Sequence, residues 1–313
     1  MTRPSVVAVV DIGSNSIKSL VASRDDHGGI ASRLTDAVDA RISAGIGQAR
    51  PRLSEDGMQR GLAAIRELLD AIAAFAPDKT LLVATSAVRD AANGAEFAGR
   101  VRAATRHELR ILTGEEEANL IGRGLTSDPQ LADQQSYYVF DLGGGSLECL
   151  AFRARRMEQA ISLPLGCVRL TERCVEDPGA PFTERCRAEV SAVCRDAFKA
   201  SGFRFSLTSG SCAVFAGGTI ATVREILAQK SGVALVETSP IISVDALRAL
   251  LEEIAVLPLA ARRQIAGLPA ARADVFPTAL TTTLAVAEIG RFTSFRHSFH
   301  NLRFGIAAEL LQM

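Results

Sequence analysis

Two acidic residues in this chain each close an apolar run and precede a turn of small residues. VVAVVDIGSNSIKSLVAS carries Asp11, followed by Gly13, Ser14, Asn15 and Ser16; YYVFDLGGGSLECLAF carries Asp141, followed by Gly143, Gly144, Gly145 and Ser146. Small residues let backbone N–H groups approach phosphate oxygens closely, and the hydroxyls add donors. An Asp at the strand end can hold a cation that neutralises the same phosphate. One Gly-rich turn alone would read as an ordinary tight hairpin. The D-[IL]-G-x-x-S core shared by both sites instead predicts two β-hairpins of a duplicated fold, closing on one polyanionic ligand.

Further carboxylates are candidates for activating water. The run Glu115-Glu116-Glu117 lies between the two hairpins. Three successive helical residues point about 100° apart, so at most one of them reaches a given water. Thr113 and Glu116 match a capping box, and Glu115 in the first turn serves the helix dipole. Glu117 shares a face with Leu120 and Ile121 and turns inward, which makes it the best base candidate by geometry. Three solvated carboxylates at a helix start are the alternative. Glu148 follows Asp141 in the strand leaving the second loop, between Leu147 and Cys149. A charge in such surroundings is costly unless it meets a metal, a water or an Arg. Arg89 is placed to clamp phosphate; a surface ion pair with Asp90 or Glu96 is its plainer role.

The elements that position these residues alternate between strand and helix. LSEDGMQRGLAAIRELLDAIAAFA predicts a helix over 53–76, capped by Ser54, with an apolar stripe of Leu62, Ile65, Leu68, Leu69 and Ile72. TLLVATSAVRDAANG reads as a buried strand to Ala84 and a helix from about Ser86, and ELRILTGEEEANLIGRG as strand, turn and helix. Helical patterns cover roughly 181–201, 218–230 and 243–264. FSLTSG near 205–210 and the stretch around VFAGG read as strand and loop, and NLRFGIAAELLQM as a short amphipathic helix. The polar segment TSDPQLADQQS is the best domain junction, giving domains of 1–125 and 126–313. The fold class is α/β.

Length and composition narrow the rest. The chain has 313 residues, 48% of them hydrophobic, enough for two cores. Its formal net charge is zero, so a general nucleic-acid or anionic-membrane surface is not indicated. Lys is confined to Lys18, Lys79, Lys199 and Lys230, so Arg supplies nearly all of the 35 basic residues. The planar Arg fork suits phosphate oxygens, although a genomic bias accounts for it equally well. The short run VVAVV does not read as a signal peptide, and no run has the roughly 20 apolar residues needed to cross a bilayer. A cytoplasmic location is expected. Cys149, Cys167, Cys174, Cys186, Cys194 and Cys212 contain no CxxC pair and read as reduced, mostly buried thiols. His297 and His300 lack the companions of a zinc site.

With these residues assembled, the chain resembles the exopolyphosphatase / guanosine pentaphosphate phosphohydrolase family. DIGSNSIK, LSEDGMQRGL, ATSAVRDAAN, LTGEEEANLI, DLGGGSLE, LPLGCVRLTE, GLPAARADVFP and NLRFG carry the resemblance, from residue 11 to 305. It implies duplicated actin-like domains, of the sugar kinase, actin and chaperone ATPase superfamily, with an interdomain cleft. It also implies that Glu117 is the catalytic base and that Asp141 and Glu148 bind Mg²⁺ and position water, with Asp11 as a third candidate ligand. Gly13, Ser14, Asn15, Ser16 and Lys18 correspond to the first phosphate loop, Gly143 to Ser146 to the second, and Arg89 to a phosphate-contacting Arg. Asn119, Phe304, Thr278 and Ala279 depart from the family pattern. The chain resembles the short, two-domain branch, for which no appended helical domains are expected.

The implied activity is Mg²⁺-dependent hydrolysis of terminal phosphoanhydrides, with inorganic polyphosphate as substrate and guanosine pentaphosphate as the close rival. An ATP-dependent kinase or ATPase with Ala216-Gly217-Gly218-Thr219 at a nucleoside, and a silent polyphosphate sensor, are more distant rivals. A homodimer is among the assemblies open to it.

Overall fold

The computed structural model describes residues 5–208 and 210–313. Ser209, within the stretch expected to be strand and loop, lies outside the described residues. Two compact units emerge: residues 1–132 with 300–313, and residues 133–299.

The first unit opens with β1 (Val6–Ile12), β2 (Ile17–Arg24) and β3 (Ile30–Val38), followed by α1 (Glu55–Ala73), β4 (Lys79–Ala84), α2 (Ser86–Arg89), α3 (Gly94–Thr105), β5 (Leu109–Ile111) and α4 (Gly114–Thr126). Its sheet runs β3-β2-β1-β4-β5, with β1–β2 and β2–β3 antiparallel and β1–β4 and β4–β5 parallel. The alternation of antiparallel hairpin and parallel crossover follows from connection length: short turns return the chain antiparallel, and the helices carry it back to a parallel neighbour. Ser54 caps α1 by accepting the Gly57 N–H at 3.0 Å. Met58, Ala64, Ile65, Leu68 and Ile72 form its buried face, while Leu62 and Leu69 sit at its edge.

The second unit holds β6 (Tyr137–Leu142), β7 (Leu147–Arg153), β8 (Arg156–Leu163), α5 (Cys167–Cys174), α6 (Glu184–Ser201), β9 (Cys212–Ala216), α7 (Gly218–Ser231), β10 (Ile241–Ser243), α8 (Val244–Ala255), α9 (Leu259–Arg262), α10 (Phe276–Gly290) and β11 (Ser294–His297). Its sheet order is β10-β11-β9-β6-β7-β8. Reading outward from β6 reproduces the first sheet outward from β1: two antiparallel strands on one side and parallel strands on the other, with β10 added at the edge. The duplication expected from the paired loops is therefore present in the strand order. α10 packs on α5, α6, α7 and α8. Its polar residues are satisfied within the helix: the hydroxyls of Thr281, Thr282 and Thr283 each donate to the carbonyl four residues back at 2.9 Å. Thr278, a departure from the family pattern, exchanges a 2.7 Å hydrogen bond with Thr171.

Four features differ from the sequence reading. The helical pattern over 243–264 is broken into α8 and α9, with Pro258 ahead of α9 where its missing N–H is tolerated. No strand forms among the described residues of 205–210. Phe203 and Phe205 instead join an aromatic cluster with Tyr138, Phe198 and Phe292, so their apolar character serves packing. The polar segment from 126 stays with the first unit to Ala132, where Asp128 accepts the Gln130 N–H at 2.8 Å and caps a 3₁₀ turn over Pro129–Leu131. Finally α11 (Leu302–Leu310) is buried on nearly every side rather than amphipathic, and packs in the first unit on β1, β2 and α4. A split at 125/126 therefore differs from these units at both ends.

Candidate active site

In the first unit the β1–β2 turn is fixed by its neighbours. The Arg41 N–H donates to the Asn15 carbonyl at 2.8 Å, and the Ser43 hydroxyl donates to the Ser14 carbonyl at 3.0 Å. Arg41 Nε also donates to Asn15 Oδ1 at 3.1 Å. In a trans peptide the N–H that follows a carbonyl points the opposite way. The amides of Asn15 and Ser16 therefore point away from these braces. Ser14 and Asn15 are buried, and Asn15 Nδ2 has no hydrogen-bond partner. An orphaned buried donor costs about 1–3 kcal/mol, which a bound acceptor recovers. Asp11 sits opposite Lys18 across β1–β2. Its Oδ1 is likewise buried and unpartnered, and burial raises its pKa against the opposing pull of Lys18 and Arg303.

The same unit positions Glu117. Thr113 and Glu116 form the predicted reciprocal cap of α4, at 3.1 and 2.8 Å, and Glu116 is held further by Arg110. Glu115 is exposed, while Glu117 is only 6% exposed. Arg89 Nη1 donates to Glu117 Oε2 at 2.7 Å and to the Leu112 carbonyl at 3.2 Å. Arg89 also approaches Asp90 at 3.4 Å, whereas Glu96 pairs with Arg100. The Ser14 and Ser86 hydroxyls lie 3.3 Å apart. Loop, α2, Arg89 and Glu117 thus form one connected path, from Ser14 through Ser86 along a single turn of helix to the buried carboxylate.

α4 is itself locked from behind by α11. A Cβ at Gly305 would overlap the Leu120 carbonyl, and one at Gly124 would overlap the Asn301 carbonyl. Both glycines allow the two helices to cross in backbone contact. Phe304, another departure, is buried and stacks on His300 at 3.9 Å. Asn119 is exposed on α4.

In the second unit the turn closes with the Gly143 N–H on the Ser146 carbonyl at 3.0 Å. Here α5 is the brace. The Cys167 N–H donates to the Gly143 carbonyl at 3.0 Å, the Val168 N–H to the Gly144 carbonyl at 2.8 Å, and Arg169 Nε to the Gly145 carbonyl at 2.8 Å. By the same peptide geometry the amides of Gly144, Gly145 and Ser146 face away from α5. A Cβ at Gly166 would overlap Gly144 and Gly145, so the loop lies directly on the helix start. Asp141 and Glu148 are cross-strand partners on β6 and β7. Glu148 is buried and accepts from the Ser162 hydroxyl at 2.7 Å. Gly217, at φ +86°, brings its Cα against the Asp141 carboxylate, and the face of Gly218 is filled by the Arg272 guanidinium.

All the candidate residues thus occur in two groups, one in each unit. The sequence reading missed Arg41, Ser43 and Ser86, which brace or touch the first loop, and Arg169 at the second. LPLGCVRLTE held Arg169 in view, but the segment containing Arg41 and Ser43 carries no signal without the fold. Among the described residues, no group of three or more His, Cys, Asp and Glu side chains forms a metal site on its own, and no helix is long and apolar enough to cross a membrane.

Residues 20–313 match the Ppx/GppA phosphatase family. The chain belongs to that family, a family of phosphohydrolases. The match begins past the first loop and includes Arg89, Glu117, Asp141 and Glu148. Among solved structures, an exopolyphosphatase from Cytophaga hutchinsonii is 20% identical, with a TM-score of 0.89 over 98% of each chain. An exopolyphosphatase-like protein is 26% identical, with a TM-score of 0.86 over 99% of this chain and 98% of its own. The Aquifex aeolicus PPX-GPPA enzyme is 24% identical, with a TM-score of 0.75 over 98% of this chain and 100% of its own. The fold is the duplicated actin-like α/β fold that these members of the family share.

Proposed function

We propose that this phosphohydrolase removes the terminal phosphate of inorganic polyphosphate by transfer to water. The observation that carries the reading is the buried Glu117 carboxylate, held by Arg89 on a path that begins at the first loop. A carboxylate fixed in this way is suited to taking a proton from water. Within the first unit, the loop amides and the orphaned Asn15 Nδ2 are donors suited to phosphate oxygens, and the second loop offers a like set of amides in its own unit. Arg89 orients Glu117 and contributes its guanidinium to the same anion. Polyphosphate is taken as first choice in keeping with the Cytophaga hutchinsonii neighbour of the same fold, which is described as an exopolyphosphatase.

The acidic residues fit a hard divalent cation such as Mg²⁺, which takes oxygen ligands and is often held by one or two carboxylates plus substrate phosphates. Asp141 and Glu148, opposite each other on adjacent strands, would hold it. Asp11 is less suited, because Lys18 and Arg303 already oppose its charge. A bound Mg²⁺ would supply charge neutralisation at the phosphate oxygens. A kinase reading loses ground at Gly217 and Gly218, whose open faces are occupied by Asp141 and Arg272.

Phosphate release on long-chain polyphosphate, tripolyphosphate, guanosine pentaphosphate and ATP tests the assignment. Release from polyphosphate is expected to dominate. Release from guanosine pentaphosphate alone would transfer the assignment to that substrate, and turnover of ATP alone would end it.

A further inference from the structure

Six free thiols lie in the second unit, and two of them share a cavity. Cys174 is the last residue of α5, and Cys186 is the third residue of α6. Both line a surface cavity of about 620 Å³, along with Arg173, Arg185 and Glu189. Their environments are opposite. Cys186 is partly exposed in the first helical turn, where its N–H donates to the Thr183 hydroxyl at 3.3 Å. The Thr183 hydroxyl lies 3.3 Å from Cys186 Sγ, as a donor to it. A partly exposed sulfur in the first turn is within reach of a small oxidant from solvent. Cys174 is buried at a helix C-terminus, where the dipole opposes negative charge. Its thiol is pushed up to about 11, mainly by burial, with Glu189 and the neighbouring Cys186 adding to the effect. Cys149 and Cys194, also buried and pushed up, line no part of this cavity.

We propose that Cys186 and Cys174 form a peroxide-oxidisable dithiol, with Cys186 attacking and Cys174 resolving, that bridges the end of α5 to the start of α6. In the first step the Cys186 thiolate attacks one oxygen of hydrogen peroxide. An S–O bond forms, the O–O bond breaks, and the hydroxide released takes a proton to become water. Cys186 is oxidised to a sulfenic acid and the peroxide is reduced. In the second step Cys174 loses its proton and its sulfur attacks Cys186 Sγ. The S–S bond forms, the S–O bond breaks, and the departing hydroxide leaves as water with that proton. One peroxide and two thiols give one disulfide and two waters.

The bridge has a mechanical consequence, which rests on the phosphate-loop reading. The first turn of α5 donates to the carbonyls of Gly143 and Gly144, and Arg169 to that of Gly145. Tethering the far end of this eight-residue helix restrains the brace on which the loop lies. Oxidation is therefore expected to lower phosphate release, reversibly with dithiothreitol.

The test treats the full chain with hydrogen peroxide, alkylates the remaining thiols and maps disulfides by mass spectrometry. A reducible link between Cys174 and Cys186 is expected. In Cys174→Ser, dimedone is expected to trap a sulfenate on Cys186; in Cys186→Ser, Cys174 is expected to stay reduced. Wild-type protein in which Cys186 remains reduced, or links to a different cysteine, overturns the proposal without reliance on either variant. Phosphate release is then followed through oxidation and reduction. A bridge that forms while release is unchanged overturns the coupling to the loop. A reduced protein that turns over no substrate would count against the proposed function and leave the disulfide map intact.

Discussion

The first hairpin sets Asp11 opposite Lys18, and the second sets Asp141 opposite Glu148. The two share a sequence core, a strand order and a turn held by its carbonyls, yet their electrostatics are opposite. In the first, a cation is built into the partner strand, and Arg303 adds a second. In the second, two acids face each other, an arrangement that is unfavourable across a strand pair unless a cation joins it. The bracing differs as well. Arg41 and Ser43 hold the first loop, whereas a helix start holds the second. Duplication supplied one scaffold twice. Divergence at the position seven residues after each Asp then leaves Lys18 facing the first and Glu148 facing the second, the contrast on which the proposed anion and metal roles rest.

The largest effect is expected at the base. Glu117→Gln should cut turnover by roughly 10²–10⁴ while leaving the far-ultraviolet spectrum and thermal midpoint near wild type. Glu116→Gln should be mild, costing about 1 kcal/mol of stability or less, because its amide oxygen still accepts the Thr113 N–H and only the exposed ion pair with Arg110 is lost. Turnover by Glu117→Gln within a factor of a few of wild type would remove the first unit from the chemistry.

Next comes the metal. Asp141→Asn should raise the Mg²⁺ concentration for half-maximal activity by about tenfold or more, since losing one charged ligand of a hard cation weakens binding at least as much as losing an outer-shell partner. Asp11→Asn should move that concentration little, because its loop is already supplied with cations. Equal shifts in the two variants would erase the distinction between the hairpins.

The two close glycine contacts sharpen the same contrast. Gly166→Ala presses on the second loop itself, and Gly305→Ala presses on the α4 backbone behind Glu117. Overpacking of this kind costs about 1–3 kcal/mol. Gly166→Ala is expected to raise KM for polyphosphate more than it lowers kcat, and Gly305→Ala to do the reverse. Kinetics at matched folded fraction separate the two.

How far the residues announced all this depends on the range of the cause. Local signals were readable: the Thr113–Glu116 cap, the Ser54 cap, the inward turn of Glu117 and the doubled D-[IL]-G-x-x-S core. Features set by distant packing were not. The Phe203–Phe205 stretch looks like a strand because a cluster of rings needs apolar residues there. NLRFGIAAELLQM looks amphipathic, yet it is buried because α4 and three strands surround it. Arg41 carries no signal in sequence, since its role comes from the fold returning it to Asn15. Arg262 is similar: it is 1% exposed and donates to the carbonyls of Leu257, Ala273, Pro178 and Ala180, where a sequence rich in Arg suggests a surface charge.

The smallest expected effect concerns stability and runs opposite to activity. Asp11 is raised from its ordinary value of 3.8 chiefly by burial, so its charged form is disfavoured in the folded chain relative to the unfolded one. A group shifted in this direction stabilises the fold below the unfolded value, and that contribution is lost as pH rises through the folded value. At neutral pH the buried charge is therefore a cost. Asp11→Asn removes the charge and keeps the shape. Its urea midpoint at pH 7 should exceed that of wild type, and the gain should shrink as pH falls toward the ordinary carboxylate range. Phosphate release should fall in the same variant, since stabilising a functional position commonly costs function. A destabilised Asp11→Asn at neutral pH would mean that Lys18 and Arg303 more than offset burial. The first hairpin would then be held together by its ion pairs rather than loaded with a charge kept for the ligand.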